Sequence, residues 1–339
     1  MESLNVMYLT DSNYAIFAGV SIISLFENNR DIDNINVYVI DDSIEESYKR
    51  EYANIAKKYE RNIIFLDVSE GIRILKQCGA PTYRGSYTTY LKLFAFNLLP
   101  DDVHQLFFID SDSVVVGSLR DIINYDMKGY MLAAVKDGLC HSYKISMGYP
   151  AGDSWYNMGV VLVDVDKWKK EDGQGKILKQ LEKRTAYVAV DQDLLNITQH
   201  GNILPLSPRY NATPHHYVYK EEDFQRYMPQ EGFYNISELK EAQKDPVIRH
   251  FERFVGESPW HKNSIHPYTP LFDYYLSISP WRDYEKKKAK VSMKLKIEKI
   301  LYILLPKKFF LKIWSIAFAR YLENLNDKLK NNPYIQNIS

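Results

Sequence analysis

Four Asp-x-Asp triplets occur in the sequence, at Asp31/Asp33, Asp110/Asp112, Asp164/Asp166 and Asp191/Asp193. Carboxylates at that spacing are the raw material of a divalent-cation site, and local context separates the four. Asp31/Asp33 lies in DIDN, a polar segment with turn composition. Asp164/Asp166 runs into DKWKK, where helix capping accounts for the aspartates. At Asp110/Asp112 the apolar run Gln105–Ile109 (QLFFI) ends abruptly in Asp110, Ser111 and Asp112 before Val114–Val116. Apolar strands flank the pair on both sides, and neither a cap nor a turn needs it. Two ionised carboxylates held together repel, and a bound cation relieves that repulsion. His250, in VIRHF, is a hydrogen-bonded structural histidine when taken alone. Added to the two carboxylates, it completes a mixed N/O set that suits Mn²⁺ better than Mg²⁺.

The elements that must position these groups are short β-rich runs alternating with helical patterns, which is α/β logic. Asn5–Leu9 reads as a strand, TDSN as a polar turn, and Tyr14–Phe26 as an amphipathic helix. Ile35–Ile40 is a second strand, Glu45–Tyr59 a helix and Asn62–Val68 a third strand. Short connections between such units imply a mostly parallel sheet covered on both faces. Tyr156–Val165 (YNMGVVLVDV) is a further buried strand, opened by an Asn and a Gly. Ligands of open α/β sheets bind outside the carboxyl ends of the strands, where Asp110 falls.

Composition narrows the classes. The 43 Lys and Arg balance 43 Asp and Glu across 339 residues, so no basic field points to nucleic acid. Lysines and aromatics instead concentrate between Glu285 and Lys330. Cys78 and Cys140 are too few for a disulfide framework or a tetrahedral zinc site. The opening MESLNVMYLTD carries no basic leader, so a cytoplasmic protein is expected. No apolar run reaches the roughly 20 residues of a spanning helix, so any membrane contact is peripheral. No G-x-x-x-x-G-K-[ST] occurs, which removes a P-loop nucleotidase.

Six fragments, YLTDSNYA, TTYLKL, FFIDSDSVVVGSL, YNMGVVLVDVDKW, DQDLLN and HF…G…PWH, occur in the order found in glycosyltransferase family 8. From Asn5 to His261 the chain resembles that family, the retaining galactosyl- and glucosyltransferases that include lipooligosaccharide galactosyltransferases and glycogenin. The resemblance implies a GT-A-like α/β fold over residues 1–265, with a basic, aromatic and helical C-terminal extension over 266–339. It also implies a retaining hexosyltransferase using UDP-galactose or UDP-glucose, with Asp110, Asp112 and His250 as ligands of Mn²⁺ or Mg²⁺. Asp11 and Asn13 match uridine-holding positions, although either could simply cap the helix near Tyr14. Asp137, Asn157, Asp191 and Gln192 fall where the family lines the sugar pocket. Lys92 stands where the family commonly has Arg, which keeps the charge and loses the bidentate fork. Ser258 stands where the family has Lys before Pro-Trp, leaving Arg253 or Lys262 to meet the diphosphate.

Only Gln192 matches the region where a covalent nucleophile would stand, and an amide is a poor nucleophile. Front-side attack by the acceptor hydroxyl is therefore expected, with Gln192 and Asp191 positioning the sugar. The competing reading is a non-catalytic nucleotide-sugar-binding protein of the same fold, for which Ser258 is the best argument. His215 and His216, in TPHHY, read as loop residues that could border the acceptor. The acceptor itself is expected to be a saccharide or lipid-linked saccharide of bacterial cell-surface or lipopolysaccharide synthesis. In the tail, Pro306 should divide two amphipathic helices that lie on an anionic membrane surface, at the inner face of the cell membrane. Packing of the same helices on the catalytic fold is the alternative.

Overall fold

The computed structural model describes residues 3–332 except 84, 139, 140, 185 and 231, so Cys140 lies outside the described residues. Among the described residues nine strands form: β1 (Ser3–Asp11), β2 (Asn34–Asp42), β3 (Asn62–Asp67), β4 (Gln105–Ile109), β5 (Ser113–Val115), β6 (Leu132–Lys136), β7 (Tyr156–Asp164), β8 (Ile203–Pro205) and β9 (Ile248–His250). Seven make one sheet in the order β3-β2-β1-β4-β7-β6-β8, and β5 pairs with β9 in a second. In the main sheet β7 is antiparallel to both its neighbours, while the other pairs are parallel. The expected α/β fold with a mostly parallel sheet is what forms.

Burial on both faces explains why the strands read as continuous apolar runs. Along β4, Leu106 and Phe108 join the cluster under the helices Thr88–Ala95 and Val190–Thr198. Phe107 and Ile109 point the other way, into the cluster built around the helix Ala15–Asn28. That alternation is the two-residue period of a strand. It leaves the strand no freedom to slip by one residue, which fixes where Asp110 emerges.

The reversed β7 changes what the sheet delivers. The strand begins, rather than ends, at the edge where β1 and β4 finish, so its contribution there is Asn157, next to its first residue. Its own carboxylate end lies at the opposite edge. There Asp164 caps the helix Val165–Lys170 by accepting from the Lys167 N–H, and Asp166 faces His104 at 2.9 Å. Asp31 pairs with Arg120 on the surface. Asp164 thus caps as expected, and Asp31 lies in a turn.

The β5–β9 pair sets Ser113 opposite His250, which places the imidazole beside the acidic triplet despite their distance in sequence. Residues beyond 265 pack into the same body: Tyr268, Phe272 and Tyr275 share a core with Phe17, Phe251 and Trp260. Trp281 reaches Gly19 so closely that an added Cβ there would stand 2.2 Å from its ring. The tail forms two helices, Met293–Leu304 and Lys307–Asn331, with Pro306 at the N-cap of the second. Phe310 and Leu311 bury against Tyr219 and Phe254, and Leu322 against Tyr143 and Trp155. The opposite face is exposed, with Leu304 at 73% and Phe309 at 62%. Among the described residues no helix is long and apolar enough to cross a membrane.

Candidate active site

The ends of β1 and β4, the helix Thr88–Ala95 and the first turn of the helix Val190–Thr198 enclose a cleft of about 520 Å³. Asp11, Asn13, Lys92, Asp110, Asp112 and Asp191 all line it. Asp137 and Asn157 line a much smaller neighbouring cavity with Asn211, His216 and Glu252. His250 and Gln192 are among the lining residues of neither space.

One ligand atom each from Asp110, Asp112 and His250 lies within 4.8 Å of the others. His250 Nε2 is 3.2 Å from Asp112 Oδ1 and 3.8 Å from Asp110 Oδ2. Its Nδ1 is 2.9 Å from Asn211 Oδ1. A carboxamide oxygen can only accept, so Nδ1 carries a proton and the ring presents Nε2 to the carboxylates. Asn211 in turn donates to Asn157 Oδ1 at 2.8 Å, and Asn157 Oδ1 also accepts the Gly159 N–H at 2.9 Å. Gly159 is glycine because nothing larger fits: a Cβ would stand 2.4 Å from His250 Cε1 and 2.7 Å from Asp110 Oδ2.

Electrostatics gives the same picture. Burial pushes the Asp110 carboxyl up to about 7, against the pull of Lys92 and with the repulsion of Asp112. Burial also acts on Asp112, but His250 outweighs it and holds that carboxyl below its ordinary value. For His250 burial disfavours the charged ring, and the Asp112 charge overcomes it, carrying the imidazole up to about 9. Without metal, a protonated His250 serves as the counter-charge to the carboxylates. Two carboxylates and an oriented imidazole form a donor set that fits a divalent cation, with Nε2 deprotonated as ligand.

Lys92 is 1% exposed and forms an ion pair with Asp191. Its ammonium also donates to the Met158 carbonyl at 2.7 Å and lies 4.4 Å from the Phe108 ring centre. Gln192 has both ends of its amide engaged. It donates to Asp137 Oδ2 at 3.0 Å and accepts the Met158 N–H at 3.2 Å. At the other end of the cleft Asp11 accepts from the Tyr14 N–H at 2.9 Å and from Asn13 Nδ2 at 3.1 Å. These bonds close the turn ahead of the helix Ala15–Asn28, whose N-cap, Tyr14, makes no side-chain cap bond, and both side chains line the cleft.

Neither Arg253 nor Lys262 is among the residues lining the cleft. Arg253 is held by Glu298 of the tail at 2.7 Å, and Lys262 is exposed. Among the described residues, Lys92 is the lysine or arginine lining that space. His215 and His216 lie on a short helix, Pro214–Val218, rather than a loop. His215 is buried with Nδ1 3.3 Å from Glu252 Oε1. Burial pushes Glu252 up, but His215 and then His250 outweigh it and hold the carboxyl below its ordinary value. Asn211 and Glu252 carry no motif of their own in the sequence, and the bridge between Ala212 and Arg249 beside β9, with the backbone bonds around it, brings Asn211 to the ring. For Gly159 a signal existed, since glycine inside a buried strand marks a close approach.

A model of glycosyl transferase family 8 matches residues 5–264. Lipopolysaccharide 1,2-glucosyltransferase of Escherichia coli (strain K12) is 28% identical over 310 residues, covering 87% of this chain and 84% of that protein. Lipopolysaccharide 1,3-galactosyltransferase of Salmonella typhimurium (strain LT2) is 25% identical over 292 residues, covering 83% and 80%. Among solved structures, the galactosyltransferase LgtC in complex with donor and acceptor sugar analogs superposes with a TM-score of 0.65 at 21% identity, covering 86% and 99%. At that identity the likeness carries the fold, which is GT-A-like.

Proposed function

The chain belongs to glycosyl transferase family 8, and on that premise we propose that it transfers galactose or glucose from a UDP-sugar to a saccharide acceptor with retention of anomeric configuration. The observation that carries this reading is the convergence of Asp110, Asp112 and His250 within 4.8 Å beside a cleft that also holds Asp11 and Asn13. When bound there, Mn²⁺ or Mg²⁺ would supply positive charge to the donor diphosphate. Asp11 and Asn13 take the uridine end. Lys92, buried and paired, holds Asp191 in place, and Asp191 and Gln192 meet the hexose with Asp137 and Asn157. Because both ends of the Gln192 amide are already bonded, its part is to hold the sugar, and the acceptor hydroxyl attacks from the side the diphosphate leaves.

The acceptor is a saccharide or lipid-linked saccharide of the bacterial cell surface, as in the two lipopolysaccharide transferases that resemble this chain. The tail supports work at the inner face of the membrane. Its exposed stripe of Ile297, Leu304, Phe309, Ile313 and Ile316 is interleaved with lysines, the composition of a helix that lies in an anionic interface. The non-catalytic reading is favoured by one observation, Ser258 in place of the family's lysine. A panel of UDP-sugars with Mn²⁺ separates the two. UDP release from UDP-galactose or UDP-glucose, with the sugar product formed first as the α-anomer by NMR, supports transfer. Binding of UDP with no release from any sugar in the panel would leave the binding protein.

A further inference from the structure

The tail is fastened to the segment that carries His250 by more than apolar contact. Glu298, on the helix Met293–Leu304, accepts the Trp314 indole N–H at 2.7 Å on one oxygen and an Arg253 guanidinium N–H at 2.7 Å on the other. With its indole N–H so held, Trp314 lies against His215, ring centres 5.3 Å apart and planes inclined by 30°. Phe254 closes on the same imidazole edge-on at 5.4 Å. His215 is 2% exposed, and its Nδ1 stands 3.3 Å from Glu252 Oε1.

From Glu252 the contacts run on without a gap. Glu252 Oε2 accepts from Asn157 Nδ2 at 3.2 Å, Asn157 Oδ1 accepts from Asn211 Nδ2 at 2.8 Å, and Asn211 Oδ1 faces His250 Nδ1 at 2.9 Å. Docking the tail does not require this arrangement, because Phe310, Leu311 and Leu322 already bury its inner face. Trp314 instead holds the ring at the head of a polar chain. A carboxylate that loses its partner in such surroundings repositions rather than stay unpaired, so turning His215 would carry Glu252 and Asn157 with it.

We propose that Trp314, on the C-terminal helix, is a positioning residue for sugar transfer: it holds His215, His215 holds Glu252, and Glu252 fixes Asn157 at the wall of the sugar cavity. The proposal rests on the transferase reading for what the site does, and on the contacts above for how the tail reaches it.

The test uses the full chain with Trp314→Leu, which keeps apolar bulk without a ring, Trp314→Phe, which keeps a ring, His215→Ala, and the Leu/Ala double variant. Asn324→Ala, at an exposed position of the same helix outside the apolar stripe, is the control. Trp314→Leu should lower kcat for transfer about tenfold with KM for the UDP-sugar and the midpoint of thermal unfolding little changed. Trp314→Phe should recover most of the rate, Asn324→Ala should match wild type, and the double variant should be no slower than the worse single one. Histidine-selective NMR should show the His215 imidazole signals displaced in Trp314→Leu and restored in Trp314→Phe. Wild-type kcat in Trp314→Leu, additive losses in the double variant, or no rescue by Phe would each overturn the proposal. A wild-type chain that turns over no UDP-sugar defeats the transferase reading instead, and His215 signals unmoved by Trp314→Leu still overturn the positioning independently of turnover.

Discussion

Asn211 is the residue on which the proposed metal site turns, because its bond to His250 Nδ1 leaves Nε2 facing the carboxylates. Asn211→Ala should weaken Mn²⁺ binding by about 10- to 100-fold, the usual range for a lost partner of a metal-bound histidine, read by calorimetric titration. The same ring makes binding depend on pH. His250 holds its proton up to about 9 in the metal-free protein and must release it to coordinate, while Asp110, raised to about 7, still competes for a proton near neutrality. Apparent Mn²⁺ affinity should therefore climb from about pH 6 to about pH 9 with proton release. Metal-free stability moves the other way. The His250 contribution is full below 6.5 and fades as pH rises through about 9, and ionising Asp110 above 3.8 costs stability progressively up to about 7. Melting curves across pH should show Mn²⁺ stabilising the fold most strongly on the alkaline side; a metal-induced shift that does not vary with pH would contradict the proton assignment.

At the scale of elements, β7 shows both what a sequence exposes and what it conceals. Its extent is legible, since Tyr156–Val165 reads as a buried strand and forms as Tyr156–Asp164. Its direction is not, because a strand covered on both faces has the same apolar run whichever way it points. Direction decides that Asn157, and not Asp164, reaches the site. The acidic strand β4 was legible to the residue because its apolar run stops where the carboxylates begin. Asn211 and Glu252 were not, because the pairing of β5 with β9 and the bridge of Ala212 to Arg249 beside it are tertiary contacts that no local sequence pattern announces. The strand also offers a direct test. Gly159→Ala puts a methyl against His250 and Asp110, so it should cost about 1–3 kcal/mol of stability by overpacking and at least about tenfold in Mn²⁺ affinity. Unchanged affinity in that variant would mean that the three ligands do not meet at β7.

For the whole molecule, the tail faces two ways. Phe310, Leu311 and Leu322 are buried on the catalytic body while Phe309, Ile313 and Ile316 are exposed, so the two partners considered for an amphipathic tail are not exclusive. If the exposed face meets a bilayer, full-length protein should sediment with anionic vesicles, less so in high salt, since each lysine near the surface contributes about 1 kcal/mol. Phe309→Ser combined with Ile313→Ser should release it without altering the thermal midpoint, and vesicle binding that survives both changes would assign the interaction elsewhere. The central claim, however, is that a cation held by Asp110, Asp112 and His250 drives donor cleavage. It is tested most directly by UDP release from a UDP-hexose, measured in EDTA and after adding back Mn²⁺, for wild type and Asp112→Ala side by side. Release should stop in EDTA, return with Mn²⁺ in wild type, and stay absent in folded Asp112→Ala; undiminished release in EDTA, or equal release by the variant, would rule out a cation held by these three residues.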